Sequence, residues 1–244
     1  MELTVVGCWA PYPRAGEACS CYLVRGRQAT LILDCGHAAF SVLQRYADFR
    51  TIDAVVITHF HPDHYVDLYA LRHALRGARF LGSRTEPVRL LLPPGPEAMV
   101  EYWRQTEEFV VERCEGPVAV GDLVLHFHPV PHAVPALLVA VSQGRRRLVY
   151  SGDTDYAPPA LQPAQGADLL LAEASLLDFD REYARRAMHL TAREAGRWAA
   201  ESGVGRLVVT HFWPEYEVED VMAEVRAEYG GPVLAAREGL RVEV

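Results

Sequence analysis

Four stretches of the sequence share one arrangement, a short apolar run that stops and is followed at once by side chains able to bind a metal ion. Ala54–Thr58 leads into His59-Phe60-His61-Pro62-Asp63-His64, and the run ending His126-Phe127-His128-Pro129-Val130-Pro131 leads into His132. Leu148–Gly152 leads into Asp153, and Leu207–Thr210 into His211. The five His and two Asp at these ends offer imidazole nitrogens and carboxylate oxygens. Such donors suit Zn2+, or Mn2+ and Fe in a more octahedral set. In the first stretch, His59 and His61 are two apart in an extended segment, so they point the same way and can grip one ion. Pro62 then turns the chain so that Asp63 and His64 face a second ion. Two ions about 3.5–4 Å apart can share a hydroxide and hold both the attacking and leaving oxygens of a displacement.

The positioning elements are short β-branched runs alternating with helical stretches. Strands are expected at Leu3–Gly7, Cys21–Arg25, Thr30–Asp34, Ala54–Thr58, Val88–Leu92, Leu123–Pro129, Leu137–Val141, Arg147–Ser151, Leu169–Ala172, Arg206–Thr210 and Val233–Ala235. Helices are expected at Ala39–Ala47, Val66–Leu75, Pro96–Glu108, Thr191–Ser202 and Val218–Tyr229. Thr191-x-x-Glu194 reads as a capping box with Gly203 as the stop, and Gln143-Gly144 reads as a hairpin turn. The early strands run as meanders and the later ones alternate with helices, which predicts a layered α/β fold rather than a barrel. In such a fold, ligands bind beyond the carboxyl ends of strands, where loops converge on a rigid support.

Composition removes whole mechanisms. All 24 basic side chains are Arg, and the chain has neither Lys nor Asn. Schiff-base chemistry and a Walker-type phosphate loop both need a lysine and are excluded. The Arg-only, Asn-free composition suggests a GC-rich genome and a thermophilic habitat. A length of 244 residues fits one domain, here taken as 1–244. The net charge of -8 argues against extended nucleic-acid binding. No apolar run reaches the ~18–20 residues of a membrane span. The opening Met1–Gly7 reads as a first strand rather than a signal peptide. Five Cys without a C-x-x-C pair point to reduced, buried thiols in a cytoplasm.

H-x-H-x-D-H after Thr58, the later His132, Ser151-Gly152-Asp153-Thr154 and Thr210-His211 together resemble the metallo-β-lactamase superfamily, from Asp34-Cys35-Gly36 to His211. The resemblance implies an αβ/βα four-layer sandwich with a dimetal site on one edge, between two pseudo-repeated halves. It also implies that His59, His61 and His132 hold one metal, that Asp63, His64 and His211 hold the other, and that Asp153 bridges them. Zn2+ is the expected metal. Glu173-Ala174-Ser175 and His189-Leu190-Thr191 are similar to motifs of the ribonuclease Z-like branch, in which a Glu and a His form a dyad. A His189 kept charged by Glu173 would protonate a leaving alkoxide, while Asp63 belongs to the catalytic set.

The departures from that branch are informative. The tRNA-grasping arm is missing, because His132 and Asp153 lie only 21 positions apart with one hairpin between them. Arg145-Arg146-Arg147 marks the turn where an arm would grow, about 20 Å upstream of Asp153 at ~3.3 Å per residue. Asp67 stands where Gly is usual, and Ala136-Leu137-Leu138 replaces a common Gly-Tyr. The reading is therefore a metal-dependent phosphodiesterase for a small or single-stranded phosphodiester, with a small anionic substrate as partner and a homodimer by analogy with relatives. The alternatives are a lactone or thioester hydrolase, or a catalytically silent metal-binding module, whose expected signature is lost ligands. β-Lactam cleavage is not expected, since relatives that do it commonly anchor the drug on a Lys. His126 and His128 are expected on a strand face, His73 on a helix surface, and His37 in a plain loop. Arg72, Arg76 and Arg79 are expected to form a solvated helix face. Asp34 is a candidate for orienting a metal ligand, and Trp213 for a pocket wall.

Overall fold

In the computed structural model, which describes residues 1–244, the apolar runs are buried on both faces and so must sit between two covering layers. Ala54 and Val56 face one apolar core, while Val55 and Ile57 face another. Leu31 and Leu33 divide from Ile32 in the same way, as Leu91 does from Leu90 and Leu92. This alternation is the period-2 signature of a strand buried on both faces.

The first half comprises strands β1 (Glu2–Gly7), β2 (Cys21–Arg25), β3 (Thr30–Leu33), β4 (Ala54–Val56), β5 (Val88–Leu92) and β6 (Phe109–Arg113), with helices α1 (Ala39–Leu43), α2 (Pro62–Tyr65), α3 (Leu68–Phe80) and α4 (Glu97–Arg104). The second half comprises β7 (Val118–Val120), β8 (Leu123–Val130), β9 (Ala136–Gln143), β10 (Arg146–Tyr150), β11 (Leu169–Glu173), β12 (Leu207–Thr210) and β13 (Val233–Ala235). Its helices are α5 (Pro158–Leu161), α6 (Arg181–Ala187), α7 (Ala192–Ser202) and α8 (Val218–Glu228), and β14 (Arg241–Glu243) ends the chain.

Two seven-stranded sheets result, in the orders β14-β1-β2-β3-β4-β5-β6 and β13-β12-β11-β10-β9-β8-β7. Each half starts as an antiparallel meander and continues with parallel strands, from β3 to β6 and from β10 to β13. The repeat is broken only by β14, which crosses back to pair with β1. One core packs β4 and β5 against α3 and α4, and the larger one fills the space between the sheets and under α7 and α8. The architecture is the expected αβ/βα sandwich.

Local signals acted as read at α7, where Thr191 and Glu194 form a reciprocal capping box and Gly203 takes φ 59°. Three strands were not anticipated. β6 and β7 are edge strands with little burial, β6 exposing Val110 and Arg113 and β7 exposing Ala119, and β6 ends in the charged Glu112-Arg113. The three-residue β14 exists only through its distant partner β1. Helix α3 runs past the expected Leu75, through an exposed Gly77 that costs only local propensity. Helix α1 stops at Leu43, short of the expected Ala47.

One expectation for charged side chains needs correction, that of a solvated face, while Arg145–Arg147 lies at the hairpin turn as expected. Arg72 and Arg76 do not form a merely solvated face, because their Nε atoms hold the nearly buried Glu108 carboxylate at 2.9 and 3.1 Å. Arg79 donates to the Glu107 carbonyl at 2.9 Å. The charge of Glu108, which lies just before β6, holds Arg72 and Arg76, although the Arg76 side chain stays 63% exposed. The Arg145–Arg147 run caps the β9–β10 hairpin, with Arg146 on Asp168 Oδ1 at 2.8 Å and the Arg147 amide on Oδ2 at 2.9 Å.

Candidate metal centre and catalytic cleft

All four apolar runs end on one edge of the sandwich, where the carboxyl ends of β3, β4, β10, β11 and β12 meet the loop after β8. Two glycines let backbone segments approach closely here. A Cβ on Gly36 would sit 1.8 Å from the Asp63 carbonyl oxygen, and one on Gly152 would sit 2.6 Å from that of Leu137. Gly152 also has φ 57°, a left-handed conformation that strains any other residue. Asp34 and His211 adopt φ 58° and 61° without being glycine. Both turn their side chains into the same cluster, and such backbone strain is held only where the surroundings over-determine it.

The cluster brings together every ligand candidate read from the sequence. His59, His61, His132 and Asp153 present donor atoms within 4.8 Å of one another, and so do Asp63, His64 and His211. Asp153 lies between the groups, with Oδ2 at 3.4 Å from His59 Nε2 and 3.3 Å from His64 Nε2, and Oδ1 at 3.1 Å from His211 Nε2. His61 Nδ1 faces His132 Nε2 at 3.1 Å, and His64 Nε2 faces His211 Nε2 at 3.0 Å.

The outward nitrogens of His59, His64, His132 and His211 are all engaged. His132 Nδ1 lies 2.9 Å from the Met188 carbonyl, to which it donates. His64 Nδ1 donates to Asp34 Oδ2 at 2.8 Å. His59 Nδ1 lies 3.0 Å from the Thr58 hydroxyl, which in turn donates to Asp34 at 2.9 Å. His211 Nδ1 lies 2.7 Å from the Ser175 hydroxyl, which donates to Glu173 Oε2 at 2.5 Å. Asp34 is thus an orienting residue, and Tyr150 steadies it with a 2.7 Å bond to Oδ2. Burial keeps the Tyr150 phenol protonated, hence a donor. Sequence reasoning assigned no role to Thr58, Tyr150, Ser175 or the Met188 carbonyl. Ser175 and Thr58 lay inside quoted motifs, whereas Tyr150 and Met188 carried no signal of their own.

The donor set fits divalent cations. His59 Nε2 and Asp153 Oδ1 are buried and make no hydrogen bond, an uncompensated state that a cation between them would relieve. Paired imine nitrogens 3.0–3.1 Å apart also repel unless a proton or cation lies between them. The electrostatics ask for positive charge. Burial opposes the charged forms of His64 and His211, yet Asp153 and its neighbouring carboxylates outweigh it. They raise His64 well above the usual range and His211 to about 10. Burial likewise works against the Asp153 carboxylate, but His211, His64 and His59 hold its pKa well below the ordinary value. Burial, then His64, lowers His59 to about 3.

Glu173 ends β11, and His189 precedes the capping Thr191 of α7. His189 Nδ1 lies 3.1 and 3.0 Å from the two Glu173 oxygens. Glu173 Oε1 also accepts the Thr154 amide at 2.6 Å. Burial lowers the pKa of His189, but the Glu173 charge and hydrogen bond overcome it and raise it. Glu173 is fully buried, while the His189 side chain keeps 18% exposure toward the open cleft. That cleft, of about 900 Å3, is walled by Pro11, Tyr12, Leu176, Tyr183 and Trp213, and no arginine lines it. His37, expected in a plain loop, lines it as well. His126 and His128 stay on β8, and His73 lies exposed on α3, all outside the cluster.

Residues 30–212 match the family model described as the β-lactamase superfamily domain. The chain is 30% identical over 245 residues to the probable metallo-hydrolase YhfI of Bacillus subtilis (strain 168), covering 98% of each chain. It is 29% identical over 307 residues to ribonuclease Z of Myxococcus xanthus (strain DK1622), covering 100% of this chain and 98% of that one. The crystal structure of YhfI superposes with a TM-score of 0.94 at 27% identity, covering 99% of this chain and 98% of that chain.

Proposed function

We propose, from the premise that the chain belongs to the metallo-β-lactamase superfamily and is a metallo-hydrolase of it, that it is a dinuclear metal-dependent phosphodiesterase for a small or single-stranded phosphodiester. The observation that carries this reading is the pairing of His189 with Glu173 at 3.0 Å beside the His/Asp cluster. Hydrolysis of a phosphodiester expels an alkoxide, which needs a proton, and a charged imidazole supplies one.

His59, His61 and His132 would hold one ion, Asp63, His64 and His211 the other, and Asp153 both. Two bound divalent ions, zinc by the nitrogen-rich donor set, would supply an activated water and neutralise charge on the phosphoryl oxygens. The chain's own part is positioning and proton transfer. Glu173 takes the Nδ1 proton of His189 in a hydrogen bond and favours the imidazolium, so Nε2 carries a transferable proton into the cleft. Asp63 lies at the cleft floor beside His211, 3.6 Å from its Nε2, where it completes the negative lining that attracts the cations. With no arginine in the walls, the positive charge that meets the substrate anion comes from histidines and bound cations. The cleft volume suits one small ligand, and the acidic balance of the chain disfavours an extended nucleic acid.

Five buried free cysteines accord with a cytoplasmic setting, and no helix is long and apolar enough to cross a membrane. The test is to measure metal content and then compare turnover of bis(p-nitrophenyl) phosphate with lactone and thioester panels. Phosphodiesterase turnover that depends on two bound ions is expected. Lactone or thioester turnover without phosphodiesterase activity would overturn the proposal.

A further inference from the structure

The cluster is ringed by two buried carboxylates, and the second of them does more than pair with His189. Glu173 is 0% exposed and receives three donors: the Thr154 amide at 2.6 Å, His189 Nδ1 at 3.0 Å and the Ser175 hydroxyl at 2.5 Å. A serine hydroxyl has one hydrogen. At 2.5 Å from an oxygen of a carboxyl group that also accepts a backbone amide and an imidazole N–H, that hydrogen is committed to Glu173. The serine oxygen lies 2.7 Å from His211 Nδ1, so toward His211 it can only accept. Nδ1 of His211 must therefore carry a proton, which leaves Nε2 as the nitrogen facing Asp153 and His64.

We propose that Ser175 is a positioning residue which, by donating to Glu173 and accepting from His211, locks His211 in the Nδ1–H form and presents its Nε2 to the second metal position. One buried carboxylate then sets two histidines at once: His189 directly, as proton carrier, and His211 through a hydroxyl, as ligand. Across the cluster, Asp34 stands in the same relation to His64 directly and to His59 through the Thr58 hydroxyl, which donates at 2.9 Å and lies 3.0 Å from His59 Nδ1. Two independent instances of one hydrogen-bond logic, one in each half of the chain, argue that the Ser175 arrangement is built. Its backbone support is equally specific, since His211 holds φ 61° to bring its ring under Ser175.

The inference rests on the metal-dependent reading for its consequence, but its first test does not. Long-range proton–nitrogen correlation spectra of metal-free, 15N-labelled wild type and Ser175→Ala should show a His211 Nδ1–H whose shift and slow exchange mark a hydrogen bond in the wild type, with both signatures lost in the variant. A bare Nδ1 would overturn the proposal. Zinc affinities of both sites would then be read by competition with a chromophoric chelator. Ser175→Ala should weaken one of the two ions about 10–100-fold, the range for loss of a ligand's orienting partner, and leave the other unchanged. Ser175→Thr keeps the hydroxyl and should restore the affinity. Unchanged binding in Ser175→Ala, or a Thr variant as defective as the Ala variant, would also overturn it. Wild-type protein that binds no metal would instead sink the proposed function, and the nitrogen spectra would still decide the role of Ser175.

Discussion

Asp34 and Glu173 stand on opposite sides of the histidine cluster as fully buried carboxylates, each bonded to a histidine at 2.8 or 3.0 Å and to a hydroxyl that reaches a second one. Asp34 follows β3 and Glu173 ends β11, so one carboxylate comes from each half of the sandwich. Between them they fix which nitrogen of four histidines points inward. Buried carboxylates are costly unless fully hydrogen-bonded, and both are. Their placement argues that this edge of the fold is organised around the histidines rather than around the apolar core.

His189 is the group placed to deliver a proton. Replacing it by Ala should lower phosphodiester turnover about 10²–10⁴-fold, the usual contribution of a positioned acid, while metal content stays at the wild-type level. A rate close to wild type would remove His189 from the mechanism.

Asp153 touches both ligand groups, so its loss should be felt at both. Asp153→Ala is expected to lose at least one ion, measured by elemental analysis after dialysis. Because ligands that bind only the folded state stabilise it, a chelator should lower the melting temperature of the wild type but hardly move that of the variant. Equal chelator shifts in the two proteins would argue against a shared bridging position.

Gly152 sits where the halves meet. Gly152→Ala puts a Cβ 2.6 Å from the Leu137 carbonyl oxygen in a left-handed backbone, which should cost about 2–3 kcal/mol in denaturant unfolding. The displacement should also reach the next residue, Asp153, and weaken metal binding. A neutral substitution would show that the backbone relaxes freely here.

Glu108 offers a test away from the site. Burial would raise its pKa, but Arg72 and Arg76 overcome this and hold it below the ordinary value. A depressed folded pKa stabilises the protein above the unfolded pKa of about 4.3, and the gain fades as pH falls through the folded value. Glu108→Gln should therefore cost about 1–3 kcal/mol near pH 7 and progressively less below pH 4. A gap that does not depend on pH would mean packing, not charge, is at stake.

The sequence by itself determined the chemistry of the edge. Strands buried on both faces announce themselves as continuous apolar runs, and a polar, metal-capable residue right after such a run can only lie at a strand end. That logic located His59, His61, Asp63, His64, Asp153 and His211, while His132 follows the one-side-exposed β8, and the structure gathers all seven. Resemblance to the ribonuclease Z-like motifs paired Glu173 with His189, and the two lie 3.0 Å apart. Tertiary structure alone decided the rest, for a physical reason in each case. The β1–β14 pairing joins the two ends of the chain, and no local pattern encodes a contact at that separation. The pairing of Arg72 and Arg76 depends on Glu108, a charge brought to them by folding. The roles of Thr58, Tyr150 and Ser175 arise because a hydroxyl is defined by what it donates to and accepts from. Pairing of β3 with β4 brings Asp34 to Thr58, pairing of β11 with β12 brings His211 to Ser175, and Tyr150 meets Asp34 only once the two sheets close on each other.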